Sequence, residues 1–181
     1  GIGDLDGPGV EFEASWTPAD NWLIGGVLSY SGLEFKNSAC SPVPLDYGVP
    51  AEQTDPYRCA SVGGKKPPMF SDFTTALNIT YSYDVGESLD GYARLDHQYR
   101  SKRYTEQINT DYIDAFHTVN FRTGIGRDSW SVELFVNNLL DDDTPSGAVR
   151  FFDGRQPGMV FGTSYQHRRP RLVGINLTYN Y

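Results

Sequence analysis

The sequence predicts an all-β, antiparallel fold, built as a transmembrane β-barrel, on three observations. Apolar and polar residues alternate with period two along most of the 181 residues, while helical spacing is nearly absent. Aromatics reach 14%, with 12 Tyr and 10 Phe, and 19 Gly and 11 Pro supply turns rather than helix interiors. Tight polar turns also alternate with long connections along the chain, the pattern of a barrel with short turns on one side of a membrane and long loops on the other.

The strands follow in order. Residues 10–17 set Val10, Phe12, Ala14 and Trp16 against Glu11, Glu13, Ser15 and Thr17. Past the turn TPADN, residues 22–33 put Trp22, Ile24, Leu28 and Tyr30 on one face, with Leu23 and Val27 blurring the other. Residues 72–84 alternate cleanly, Phe73, Thr75, Leu77, Ile79, Tyr81 and Tyr83 against Thr74, Ala76, Asn78, Thr80, Ser82 and Asp84. Residues 89–103 set Leu89, Ala93, Leu95 and Tyr99 against Tyr92, Arg94, Asp96, Gln98 and Arg100. Residues 113–126 set Ile113, Ala115, Val119, Phe121 and Ile125 against Thr118, Asn120 and Arg122. Residues 129–138 set Trp130, Val132, Leu134 and Val136 against Ser131, Glu133, Phe135 and Asn137. The closing stretch places Val173, Ile175, Leu177 and Tyr179 toward lipid, and Asn176 and Thr178 toward a lumen. Several of these runs exceed the usual soluble strand.

The turns TPADN, VGES and GRD are short, whereas Glu34–Met69, Glu106–Asp111 and Leu139–His167 are long. Trp and Tyr gather near strand ends, where amphipathic rings meet lipid headgroups. Ionised groups lie mid-strand, which suits a wall facing water and is costly in a dry core. A soluble β-sandwich binding module is the competing reading, because its outer face tolerates the same charges. Seven strands do not close a bacterial single-chain barrel, which has an even number and no free edge in lipid. The chain is therefore expected to be the C-terminal part of a larger barrel.

The remaining composition narrows the function. No run of 18 apolar residues exists, so no transmembrane helix is expected, and the opening GIGDLDGPGVEFEASW is no secretory leader. A net charge of −8 argues against nucleic acid as partner. Cys40 and Cys59, in a stretch rich in Pro, Ser and Gly, favour a disulfide over a metal site, with two unrelated thiols as the alternative. No catalytic constellation emerges: His97, His117 and His167 are far apart in sequence, and no Ser or Cys sits in a nucleophile motif. SVGGKK lacks phosphate-loop spacing, and DDDTP at 141–145 lacks the spacing and glycine of a calcium loop. The sequons at Asn78 and Asn176 lie inside strands, which speaks against glycosylation. Neither enzyme activity, cofactor nor metal is expected.

The stretch SWSVELFVNNLLDDDTP, followed by RRPRLVGINLTYNY, resembles the C-terminal end of TonB-dependent outer-membrane receptors. The matching elements are Asn138-Leu139-Leu140-Asp141, Arg169-Pro170-Arg171 and the terminal Tyr181, with Leu140 where an aromatic is usual and Tyr where Phe is commoner. The upstream GVEFEASWTPADNWLIGGVLSYSGLEF also looks like a hairpin of that family. The resemblance implies a 22-stranded barrel with an N-terminal plug, in the bacterial outer membrane. This chain would hold its last seven strands or so, without the plug and the earlier strands. It further implies TonB-energised uptake of a scarce substrate such as a ferric siderophore, haem, cobalamin or a sugar. The partners implied are outer-membrane lipid, the TonB complex through an N-terminal part, and the barrel-assembly machinery, which would read Tyr179 and Tyr181. A passive porin-type barrel is the alternative that shares the strands.

Candidate ligand residues are the aromatics and arginines of the long connections: Tyr47, Tyr57, Arg58, Phe151, Phe152, Arg155, Phe161 and Tyr165. Rings and guanidinium forks suit planar or anionic ligands, although the same residues could simply pack loops together. Arg94, Asp96, Arg100, Arg122 and Glu133 are candidates for a lumen wall, lining a path, pairing with one another or holding a plug.

Overall fold

The computed structural model describes residues 3–36, 40–42, 59–153 and 160–181. In chain order the strands are β1 (Asp4–Asp6), β2 (Gly9–Trp16), β3 (Trp22–Ser31), β4 (Glu34–Lys36), β5 (Cys40–Pro42), β6 (Cys59–Ser61), β7 (Phe73–Val85) and β8 (Leu89–Arg100). They continue with β9 (Arg103–Tyr104), β10 (Tyr112–Ile113), β11 (Phe116–Arg127), β12 (Trp130–Asn137), β13 (Gly147–Asp153), β14 (Val160–Gln166) and β15 (Leu172–Tyr179). Seven of them form one antiparallel sheet in the order β15-β12-β11-β8-β7-β3-β2, and these are the seven strands that alternation predicts. Sequence neighbours are sheet neighbours throughout, apart from the inserted hairpins, so the sheet is an up-and-down meander.

Register turns the alternation into two continuous faces. The cross-strand row Phe12, Leu28, Thr75 and Tyr99 is apolar or aromatic in every member but one, and the row Val10, Tyr30, Phe73 in all three. Farther along, Phe121 stands opposite Leu95 and Val136, and Leu134 opposite Ile175. Even on strands flanked on both sides this face stays open: Leu28 is 38% exposed, Leu77 39% and Leu134 49%. Among the described residues no second sheet covers that face, which removes the sandwich reading. Exposure of this kind suits a hydrocarbon solvent and is unfavourable in water.

An aromatic belt closes the apolar face at the end of the short turns. Trp22 and Tyr81 have ring centroids 4.7 Å apart, Tyr81 and Tyr83 lie 5.9 Å apart, and Trp130 stands opposite Tyr179. Tyr30 and Phe73 sit opposite each other near the other end. The eight steps from Phe73 to Tyr81 span about 26 Å of strand, or about 20 Å of depth at the usual barrel tilt, which approaches the height of an outer-membrane apolar band.

Two strand limits differ from expectation. The strand expected over 113–126 begins at Phe116, and Ile113 pairs instead with Arg103 in the β9–β10 hairpin, where it is 1% exposed. Ile113 is apolar because it is buried beneath loops, and alternation alone cannot separate that from facing lipid. Likewise β8 stops at Arg100, and Arg103 belongs to the hairpin. The stretch Leu139–His167 is also more than a loop, since β13 and β14 form a seven-residue hairpin from Gly147↔Gln166 to Asp153↔Val160.

The three long connections rise from one end of the sheet and pack on each other. A small core of Phe35, Ala60, Val62 and Ile108 joins the first connection to the second. Asn109 seals that joint: its Oδ1 accepts from the Lys66 amide at 2.7 Å, and its Nδ2 donates to the Lys66 carbonyl at 2.9 Å. The Glu106 carboxylate turns the second connection by accepting the amides of Ile108, Thr110 and Asp111. Asp111 then accepts hydrogen bonds from the hydroxyls of Thr163 and Tyr165, docking that connection on the β13–β14 hairpin.

Candidate functional site

The polar face of the sheet and the loop layer at its mouth make up the candidate site. All five expected wall residues fall on this one face, because each has the same parity across the register: Asp96 opposite Asn78 and Asn120, Arg94 opposite Arg122, Arg100 opposite Phe116, and Gly124 opposite Glu133. Arg94 and Arg122 thus confront each other across β8 and β11, an unfavourable like-charge pair. Arg94 relieves it by turning along its own strand to Asp96, with Nη2 donating to Oδ1 at 2.7 Å and Nε at 3.0 Å.

Glu133 collects the other side of the wall. It accepts a hydrogen bond from the Tyr92 hydroxyl and another from Asn176 Nδ2 at 2.8 Å, and it attracts Arg122 electrostatically. Tyr92 stands opposite Gly124, and Gly124 opposite Glu133, so the phenol reaches Glu133 across a strand position without a side chain. A Cβ at Gly124 would lie 2.9 Å from the Val132 carbonyl oxygen and 3.0 Å from the Tyr92 ring. The glycine therefore keeps open a polar belt across β8, β11, β12 and β15. An open cavity of about 540 Å³ lies beside it, lined by Tyr92, Glu133, Asn176 and Thr178 among others.

At the mouth, Phe116 is the hub. Its ring lies 4.2 Å from the Arg168 guanidinium carbon and 5.2 Å from that of Arg103. Arg168 donates to the Thr118 hydroxyl and stands 4.0 Å from Asp142. Arg103, 3% exposed, donates from Nη2 to the Ser146 carbonyl at 2.6 Å. Burial, with the nearby charges of Arg100 and Arg168, pushes its guanidinium pKa below the ordinary arginine range. Asp142 accepts from the amides of Thr144 at 2.9 Å and His117 at 3.0 Å.

The expected ligand residues fare differently. Tyr47, Tyr57, Arg58 and Arg155 lie outside the described residues, as do the side chains of Phe152 and Phe161, whose backbones pair in the β13–β14 hairpin. Phe151 is 48% exposed on one face of that hairpin, and Tyr165 lies on the other, held by Asp111. Burial and its bond to the Asp111 carboxylate raise the Tyr165 pKa. The structure thus does not bring Phe151 and Tyr165 together. Cys40 and Cys59 fall on paired strands, opposite Ser61 and Pro42, and their side chains lie outside the described residues.

Two features escaped the sequence reading. Arg103, Phe116 and Arg168 are 13 or more residues apart, and nothing in the local pattern of the sequence signals their meeting. His97 Nε2 and His117 Nδ1 come within 3.0 Å on the apolar face, so each ring meets part of the other's hydrogen-bonding need there. Among the described residues no three His, Cys, Asp or Glu gather as metal ligands.

Residues 5–139 match the family described as TonB dependent receptor-like, beta-barrel. The fold is similar to that of the ferric yersiniabactin uptake receptor FyuA from Yersinia pestis, with a TM-score of 0.74 and 18% identity over 99% of this chain and 24% of that one. It is also similar to that of the siderophore receptor PiuA from Acinetobacter baumannii, with a TM-score of 0.70 and 16% identity over 98% of this chain and 22% of that one. The chain thus spans about a quarter of the length of these solved structures. No curated protein matches it.

Proposed function

The chain belongs to the TonB-dependent receptor family, through that family's outer-membrane β-barrel, and from this premise we propose that it forms part of the wall of a receptor that takes up a scarce substrate such as a ferric siderophore. One observation carries the reading: a single sheet with an exposed apolar face, an opposite polar face, and all its long connections at one end. The apolar face meets lipid, the polar face lines the lumen, and the long connections face the outside of the cell. Substrate is captured at the loop end and passes along the polar wall. No bond is made or broken in it, so the wall's work is recognition and solvation. Parts of the receptor outside this chain supply the plug and the contact with the TonB complex, and the closing strand with Tyr179 and Tyr181 engages the barrel-assembly machinery.

The test is uptake by a strain lacking the gene, offered ferric siderophores, haem, cobalamin and oligosaccharides. Uptake of one compound should fall and return with the gene, and should fail when TonB is absent. Normal uptake of every compound without the gene would sink the proposal. Uptake restored by the gene but indifferent to TonB would show a passive pore instead.

A further inference from the structure

We propose that His97 and His117, paired on the lipid face of the sheet, form a recognition site for hydroxyl groups on the proximal acyl chains of an outer-leaflet glycolipid. The proposal rests on one part of the reading above, that the apolar face meets lipid with the long connections outside the cell, and not on uptake.

The two imidazoles stand where a barrel has least use for polar groups. Both take the parity of the apolar face, His97 opposite Leu77 and Val119, and His117 opposite Tyr99. Tyr99 is in turn opposite Thr75, two steps along β7 from Phe73, and Leu77 is four steps from it. That puts the pair about 5–10 Å beneath the loop-end rings, inside the apolar band. Ionisable side chains at membrane depth are costly and mark functional sites.

His97 Nε2 and His117 Nδ1 are 3.0 Å apart, the ring centroids 5.3 Å apart and the planes 24° from parallel, so the rings meet edge on, nitrogen to nitrogen. This geometry leaves no room between them for a metal ion, which needs about 2 Å to each nitrogen. One N–H lies in the bond, and the neutral pair has one other. Whichever ring donates, its outer nitrogen is a bare acceptor, while the outer nitrogen of the accepting ring carries a hydrogen. Neither His97 Nδ1 nor His117 Nε2 has a partner among the described residues, and neither has the hydroxyl of Tyr99, whose ring lies 4.8 Å from His117. The membrane has to supply what these atoms lack, because no water reaches them in hydrocarbon. Ester carbonyls of an ordinary phospholipid satisfy the N–H but offer nothing to the bare nitrogen. A phosphate group is also an acceptor, and it sits at headgroup level above the pair. An acyl chain with a hydroxyl near its carbonyl carries both a donor and an acceptor at the right depth. Because the unpaired nitrogens lie at opposite ends of the pair, two neighbouring chains of one multiply acylated glycolipid serve both.

Native mass spectrometry of the full-length receptor in detergent tests this with two synthetic phosphorylated disaccharide lipids as probes, one carrying hydroxymyristoyl chains and the other plain myristoyl chains. Their headgroups are identical, so binding through sugar or phosphate cancels between them. The wild type should bind the hydroxylated lipid about fivefold more tightly, as expected for one added hydrogen bond. His97→Leu with His117→Leu should bring the two lipids to equal affinity, and His167→Leu, which removes an imidazole outside the sheet, should keep the preference. The proposal is overturned by equal binding of the two lipids to the wild type, by a preference that survives the double substitution, or by its equal loss in His167→Leu. If the double variant does not fold, His117→Leu alone decides, because that ring is exposed and leucine suits a lipid-facing position. Equal binding beside gene-dependent uptake removes the lipid site and leaves the uptake reading standing. Uptake that ignores the gene removes the uptake reading whatever the lipids show.

Discussion

An arginine at residue 77 asks directly which face of the sheet meets lipid. Leu77 lies midway between Phe73 and Tyr81 on β7, opposite Gly26 and His97, and is 39% exposed on the apolar face. It is four steps along the strand from either ring, which places it about 10 Å in depth from each end of the apolar band. Arginine near the midplane of a barrel's lipid face costs about 2–4 kcal/mol. Ala76 is its chain neighbour at nearly the same depth, but it points to the polar face, opposite Val27 and Gln98. Arginine there meets water and should change stability by less than about 1 kcal/mol. The two variants share charge, size and position along the barrel, so the difference isolates the solvent each face sees. The assay is reversible denaturant unfolding of the full-length receptor in lipid vesicles, followed by tryptophan fluorescence. Equal costs, or a greater cost for Ala76→Arg, would refute the assignment of faces.

Three further outcomes are expected. Asn109→Ala removes both hydrogen bonds to the Lys66 backbone and puts alanine at φ 59°, a left-handed conformation that asparagine tolerates better. It should loosen the joint between the first two connections by about 2 kcal/mol, read as lost hydrogen-exchange protection of the Lys66 amide, with β7 and β8 unaffected. Burial pulls the Asp142 carboxyl pKa up, but bonds from Thr144 and His117 and the charge on Arg168 outweigh it and hold it below the ordinary carboxylate value. Its contribution is therefore complete above the ordinary carboxylate range and lost as pH falls through the lowered value. Protection of the His117 amide should drop over that acid interval, and Asp142→Asn should abolish the change; protection that ignores pH there would contradict it. Cys40 and Cys59 are proposed to be bonded, so thiol labelling of the oxidised receptor should modify neither, and labelling of both would end the idea.

The sheet was legible because its signal is local. In a strand, successive side chains point to opposite faces, so whether Leu77 and Ala76 see lipid or water is written two residues at a time. The seven wall strands, their order and the parity of Arg94, Asp96, Arg100, Arg122 and Glu133 all follow from that pleat and from short turns joining neighbours. Ile113 shows where the signal stops, since an apolar residue beneath a loop reads like one facing lipid. The β13–β14 hairpin also alternates, but its strands belong to the loop layer and only the fold reveals their partners.

What the tertiary structure alone decided is which residues share a place. Register set Arg94 against Arg122, let Tyr92 reach Glu133 across Gly124, and brought His97 to His117. Docking of one connection on another put Arg103 and Arg168 on the Phe116 ring, and Asp111 against Tyr165. Alternation carries the face of each residue but not its neighbour, because a neighbour depends on how distant strands slide into register and how loops fold back over them. The wall could therefore be read from the chain, and the arginines at its mouth only from the fold.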